Sequence, residues 1–271
     1  MNNLTKRAIT GTVYVLSVIA AIFIHPAITG IYFLIVSIIG LWEFLNVAKL
    51  SDSKTSDILP ILAGMSVYTL VWFSATGKED ISLSYGIITI LILLTIFIKE
   101  LYSKRKDPFT YIAYSVLGII YVVVPLALTN VIINFNGHFS PMVLMSIFIF
   151  AWCNDTFAYL TGMKFGKHKL FERISPKKTW EGWIGGFIFT IIAAVVVAYF
   201  SNAIPVADFI AIAVITSIIG TFGDLVESMF KRQMNVKDSG NILPGHGGIL
   251  DRFDILLLVL PAAMCYLMIR F

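Results

Sequence analysis

The chain has 271 residues, 58% of them hydrophobic and only 13% charged. A soluble domain carries about 25% charged residues, so composition excludes a soluble globule. The formal net charge of +4 gives no reason to expect a nucleic-acid partner. No polar segment is long enough to build a separate domain. The whole of 1–271 therefore reads as one membrane-embedded domain, with N-terminal spans over 1–140 and C-terminal spans and cytoplasmic loops over 141–271.

A bilayer-crossing helix needs about 20 apolar residues. Nine segments meet or approach this, roughly 8–25, 27–48, 58–76, 82–101, 111–134, 141–161, 183–201, 207–230 and 251–270. The expected fold is all-α, a polytopic integral membrane protein of about nine transmembrane helices. Lys6 and Arg7 precede the first apolar run with no small-residue cleavage site after it, so that run reads as a retained span. Lys and Arg set orientation. With the N-terminus cytoplasmic, eighteen of the twenty basic residues fall inside, and only Lys78 and Arg270 fall outside. Cys153 and Cys265 fit no zinc motif or disulfide framework. Both are expected to be small buried side chains.

On this map Glu43, Asp155, Asp224, Glu227, Asp251 and Asp254 lie at the inner ends of four spans. An acid within the membrane costs about 2.5–3.5 kcal/mol on insertion scales and usually faces a bundle interior or a watery cavity. Six acids at one depth point to a polar pocket open to the cytoplasm. Glu43 is the weakest of them, because a single acid near a helix end can snorkel or pair.

The stretch from Gly223 to Asp254 gathers nine charged residues in an otherwise apolar part of the chain. Asp224, Glu227 and Ser228 fall at i, i+3 and i+4, with Lys231 one turn further, on one helix face. Asp251 and Asp254 are spaced i, i+3. Such oxygen groups suit a hard cation such as Mg²⁺; the alternative is interhelical ion pairing, Asp224 with Arg252 for example. In PGHGG, Pro244 to Gly248, glycine N–H groups and the start of the last span can face an anion. Lys231, Arg232, Lys237 and Arg252 flank that segment, and His246 reads as a phosphate contact. The alternative is an ordinary turn beneath snorkelling basic residues. A second polar stretch, 161–186, follows Asn154-Asp155. Its SPKKTWEG run sets Lys177 and Lys178 beside Ser175 and Thr179, all able to meet phosphate, or else forms a positive-inside loop over anionic headgroups. Trp180 and Trp183 read as interfacial anchors. No GxSxG, HExxH or Walker A run occurs. That argues against a covalent nucleophile and fits phosphorus chemistry in which metal and basic groups position the reactants.

Taken together, Ser228-x-x-Lys231-Arg232, four residues, Lys237-Asp238, five residues, then Pro244-Gly-His-Gly-Gly-x-x-Asp251-Arg252-x-Asp254 resembles the signature of the phosphatidate cytidylyltransferase (CDP-diacylglycerol synthase) family. SPKKTWEG and the Asn154-Asp155 region also resemble its bacterial members. The matching motifs cover about the C-terminal 120 residues, and the first five spans match in general character only. The resemblance implies that CTP and phosphatidate give CDP-diacylglycerol and diphosphate, with Mg²⁺ and a second, monovalent cation such as K⁺. It implies a catalytic set of Asp224, Asp251, Lys231, Arg232 and His246. Metal would be held by Asp224 and Asp251, with Asp155 and Asp254. Substrate contacts would come from Ser228, Lys237, Asp238, Gly247, Gly248 and Arg252, with Lys177, Lys178 and Asn154. It further implies a bacterial plasma membrane, an active site facing the cytoplasm, and a homodimer. Two rivals are a CTP-dependent polyprenol or phytol kinase, which would release CDP, and a cation-coupled transporter. A transporter places its charges near the midplane between repeats, whereas here they gather at one face. CDP-alcohol phosphotransferases are disfavoured because no DGxxAR run occurs.

Overall fold

A computed structural model describes residues 3–48, 58–243, 245 and 247–271. His246, Lys49, Lys54 and the side chains of Lys6 and Arg7 lie outside the described residues. Within them, each expected span is a helix: α1 Asn3–Ile24, α2 Pro26–Val47, α3 Ile58–Ala75, α4 Glu79–Leu101, α5 Pro108–Ile133, α6 Pro141–Phe165, α7 Trp180–Phe200, α8 Val206–Gln233 and α9 Leu250–Arg270. Helices α2 to α9 are long and apolar enough to cross a membrane, and α1 adds a shorter apolar run, Ala8–Ile24. The fold is all-α and polytopic, with one local addition. The polar stretch after α6 forms an antiparallel hairpin, β1 Lys169–Phe171 and β2 Ser175–Thr179, pairing Lys169 with Thr179 and Phe171 with Ser175. Cys153 is half-buried and Cys265 is exposed, so the expectation that both are buried is corrected. Cys265 lies on an outward face of α9, where an apolar thiol needs no core.

The chain divides into two compact units, 1–139 with 238–252, and 140–237 with 253–271. In the first, buried polar groups tie helices together. The Tyr68 hydroxyl on α3 donates to the Gly30 carbonyl on α2 at 2.9 Å, and Asn130 Nδ2 on α5 donates to that hydroxyl at 2.8 Å. Thr89 on α4 donates to Ser66 on α3 at 2.8 Å. Such bonds between spans are worth about 0.6 kcal/mol on average in a membrane protein. His25 caps α2 and Pro26 opens it, which places a sharp joint between α1 and α2. A π-helical turn, Ile119–Val123, precedes Pro125 in α5, where the ring removes a backbone donor.

In the second unit small residues let backbones approach. A Cβ on Gly182 of α7 would stand 2.7 Å from the Ala158 carbonyl of α6, and one on Gly223 of α8 would stand 2.8 Å from the Asp254 carbonyl of α9. Both contacts are with backbone, which has little room to yield. At the far end of the same pair, Asp208 of α8 is buried and accepts from Tyr266 at 2.6 Å and Arg270 at 3.0 Å, both on α9. Helices α8 and α9 are thus fastened at both ends, by backbone contact at one and by an ion pair at the other. Thr179 ends β2 and caps α7, its hydroxyl accepting from Gly182 N at 3.2 Å. Glu181 reaches back to the hairpin entrance, accepting from Lys167 N at 3.0 Å and meeting His168 Nδ1 at 2.6 Å.

Replacing Gly223 by Ala should destabilise the detergent-solubilised protein by about 1–3 kcal/mol, as overpacking does. Gly86→Ala on α4, whose added Cβ would stand 3.6 Å from Leu70, should cost nothing measurable. Thermal unfolding of both variants checks the contrast; equal behaviour would remove the close approach at Gly223.

Candidate active site

The expected site residues fall into two sets, one in each unit. In the second unit α6 turns one face toward a cavity of about 470 Å³: Asp155, Tyr159 and Met163 recur at i, i+4 and i+8. Lys177 and Lys178 of β2, Trp183 of α7, and Thr221 and Asp224 of α8 complete its walls. Gly162, Gly182 and Gly220 also line it. Asn154 lies at the same place and accepts from Ser217 of α8 at 2.7 Å, joining α6 to α8.

Charges in this cavity are arranged as neutralising pairs. Lys178 Nζ stands 2.5 Å from Asp224 Oδ2, and Ser228 donates to Asp224 Oδ1 at 3.1 Å. One turn on, Lys231 Nζ stands 2.5 Å from Glu227, which is wholly buried. Asp254 of α9 lies within electrostatic range of Asp224, Glu227 and Asp155. Four carboxylates therefore share a region with Lys177, Lys178 and Lys231. Asp224 pairs with Lys178, delivered by the hairpin. Arg232 and Lys237 are exposed beyond the end of the α8 acids.

In the first unit the segment after Lys237 folds around two carboxylates of the chain itself. Asp251 Oδ2 accepts from Ser239 N at 2.9 Å, Ser239 Oγ at 3.0 Å and Gly248 N at 2.8 Å. Glu43 of α2 accepts from Ile249 N at 3.1 Å, Leu250 N at 2.8 Å and Ser239 Oγ at 3.2 Å. Gly245 and Gly247 take positive φ values of 79° and 84°, and Leu243 N bonds to Gly247 O at 2.9 Å across the turn. Asp238 packs beside Gly247, and Tyr14 of α1 donates to the Arg252 carbonyl at 3.3 Å. The N–H groups of Gly248, Ile249 and Leu250, open to an outside anion in the sequence reading, are satisfied by Asp251 and Glu43. The start of α9 has taken an internal carboxylate, as a helix N-terminus favours.

Several site groups carry weak sequence signals. Glu43 looked like an acid at a helix end, yet it is 1% exposed and organises a loop some 200 positions away. Its signal was burial of an acid in an apolar span; its partners are backbone amides and leave no signature. Trp183 lines the cavity instead of serving only as an interfacial anchor. Among the described residues, no three His, Cys, Asp or Glu side chains converge as a ready-made metal site. The donor set beside Asp254 is nonetheless all oxygen, as Mg²⁺ requires. It lacks the number of ligands that a cage built from protein alone would need.

A double-mutant cycle on Lys178→Ala and Asp224→Ala should give a coupling of about 0.5–1 kcal/mol in unfolding, since the pair is partly solvent-exposed. Additive effects would show that the two side chains do not pair in solution.

A family model described as the cytidylyltransferase family matches residues 5–270. A phosphatidate cytidylyltransferase of Haemophilus influenzae is 32% identical, the match covering 95% of this chain and 96% of that protein. Phosphatidate cytidylyltransferases of Staphylococcus haemolyticus and Staphylococcus saprophyticus are 33% and 34% identical, each match covering 94% of this chain and 95% of the relative. With a match that runs from the first helix to the last, and with lysines and carboxylates gathered in a cavity between its spans, this chain belongs to the cytidylyltransferase family.

Proposed function

We propose that the chain transfers the cytidylyl group of CTP to phosphatidate, giving CDP-diacylglycerol and diphosphate. The observation that carries this reading is the cavity of the second unit, where Lys177, Lys178, Asp155 and Asp224 meet Tyr159, Met163 and Trp183 among membrane helices. Its volume lies within the range of small-molecule sites. Both reactants are polyanions and one is a lipid, so a basic pocket with an apolar wall suits them.

A phosphate oxygen of phosphatidate attacks the α-phosphorus of CTP. The new P–O bond forms as the bond to the β-phosphate bridge breaks, and diphosphate carries away the electron pair. The lysines serve by position and charge. Incoming phosphates compete with Asp224 for Lys178, and Lys177 beside it is exposed to take a second oxygen. As Lys178 turns to phosphate, Asp224 is left with a carboxylate oxygen for a cation. Lys231 keeps the buried Glu227 neutralised throughout.

Mg²⁺ is proposed as the required cofactor. It typically takes one or two carboxylates, with substrate phosphates and water completing its shell, so an incomplete protein site fits the need. In the second unit Asp224 and Asp254, with Asp155, are proposed to hold it. In the first unit Asp251 is proposed as the acidic group of the loop that acts with metal. Mg²⁺ would offset charge on the phosphates and make the α-phosphorus easier to attack. The reacting side is proposed to be the cytoplasmic face of a plasma membrane, because the basic residues favour that face and CTP is a cytosolic reactant.

Proteoliposomes holding the protein should release diphosphate from CTP only with phosphatidate and Mg²⁺ present, and EDTA should abolish release. Release of CDP in its place would mean phosphate transfer, and no turnover with any lipid phosphate would overturn the proposal. In the same assay Lys178→Ala should lower kcat about 10²–10³-fold, the typical loss on removing one donor to a developing oxyanion. A change below twofold would remove Lys178 from the reaction.

A further inference from the structure

Glu43 stands apart from the motifs that mark the family, on a helix far from them in sequence. It is nevertheless the hub of the loop that bears Asp251. Both of its oxygens are engaged, one by Ile249 N and the other by Leu250 N and the Ser239 hydroxyl. Only a carboxylate offers acceptors on both sides in this way; an amide would turn a donor toward one of these groups. A buried acid in a span is costly, and this one receives backbone donors and a serine hydroxyl.

The link to Asp251 runs through Ser239. Its single hydroxyl hydrogen stands between Glu43 Oε2 at 3.2 Å and Asp251 Oδ2 at 3.0 Å, while its N–H donates to that same Asp251 oxygen at 2.9 Å. Gly248 N also donates to Asp251, one residue from the amides that Glu43 holds. Each of these donors to Asp251 is thus placed by Glu43 or lies beside a group that is. The loop composition agrees. A Cβ at Gly240 would overlap the Glu43 carboxylate, one at Gly248 would overlap Ser239 and Glu43, and one at Gly247 would stand 2.6 Å from Asp251 Oδ2.

We propose that Glu43 is a positioning residue: through Ser239 and the amides of Ile249 and Leu250 it fixes the orientation of Asp251, and so sets how well the protein uses Mg²⁺. The last clause rests on the function proposed above. Outer groups that orient a metal ligand typically change metal affinity or activity by about 10–100-fold when removed.

The test uses full-length protein in nanodiscs and the variants Glu43→Gln and Ser239→Ala. Hydrogen exchange is followed at residues 248–250, and the half-saturating Mg²⁺ concentration for diphosphate release is measured. Glu43→Gln should speed amide exchange there by at least about tenfold and raise the Mg²⁺ requirement about 10–100-fold. Ser239→Ala should leave Ile249 and Leu250 protected and raise the Mg²⁺ requirement by about 3–10-fold, the loss of one hydrogen bond. Unchanged exchange in Glu43→Gln overturns the proposal. So does an unchanged Mg²⁺ requirement in folded variants, which would leave Glu43 as a structural latch. If Glu43→Gln fails to fold, Ser239→Ala decides by its Mg²⁺ requirement. A wild-type protein that exchanges slowly at these amides but releases no diphosphate sinks the proposed reaction, and exchange in Glu43→Gln still decides whether Glu43 holds the loop.

Discussion

A carboxylate inside an apolar chain must be given donors or an opposite charge, because leaving it bare in a low-dielectric setting costs several kcal/mol. Much of the polar architecture follows from that constraint. Asp224 has Lys178 and Ser228, Glu227 has Lys231, and Asp208 has Arg270 and Tyr266. Glu43 and Asp251 have backbone amides and one serine. The two solutions differ in what they permit. A lysine can swing to another anion, whereas an amide fixed in a loop cannot. The lysine-paired acids are suited to exchange with ligands, and the amide-held acids to staying in place.

Close backbone approach is the second requirement. In the unit that contains the cavity, Gly182 and Gly223 let α7 meet α6 and α9 meet α8 with no side chain between them. Association of spans in lipid relies on such packing, since burial of apolar surface gains little there. The same glycines hold the charged positions near one another. Asp224 follows Gly223 directly, and Asp254 supplies the carbonyl that Gly223 touches.

The spans were legible because apolar length is a coarse signal that survives any local detail. The acids of the site were legible as exceptions to that background. Their partners were not. Lys178 reaches Asp224 across 46 positions, by way of a hairpin whose short charged strands carry no apolar alternation for a pattern to detect. Amides that engage Glu43 exist in every sequence, so only geometry distinguishes them. Trp183 read from sequence as an interfacial anchor, and Tyr159 and Met163 carried no signal, because apolar groups in a membrane protein point outward as readily as inward.

The joint at Thr179 has a mechanical side. Strand β2 ends at the residue that caps α7, and the helix begins at Trp180 with no linker between them. Lys177 and Lys178 are therefore carried on α7 as on a rigid arm, with Glu181 bracing the other strand's approach. Any tilt of α7 becomes a displacement of both ammonium groups, with no slack to absorb it. Because strand side chains alternate in direction, adding one residue between Lys178 and Trp180 would exchange which lysine meets Asp224. Extra residues at the hairpin tip, around Glu172 and Arg173, would leave that meeting intact. The two ends of one short hairpin thus differ sharply in how much variation in chain length they can accept.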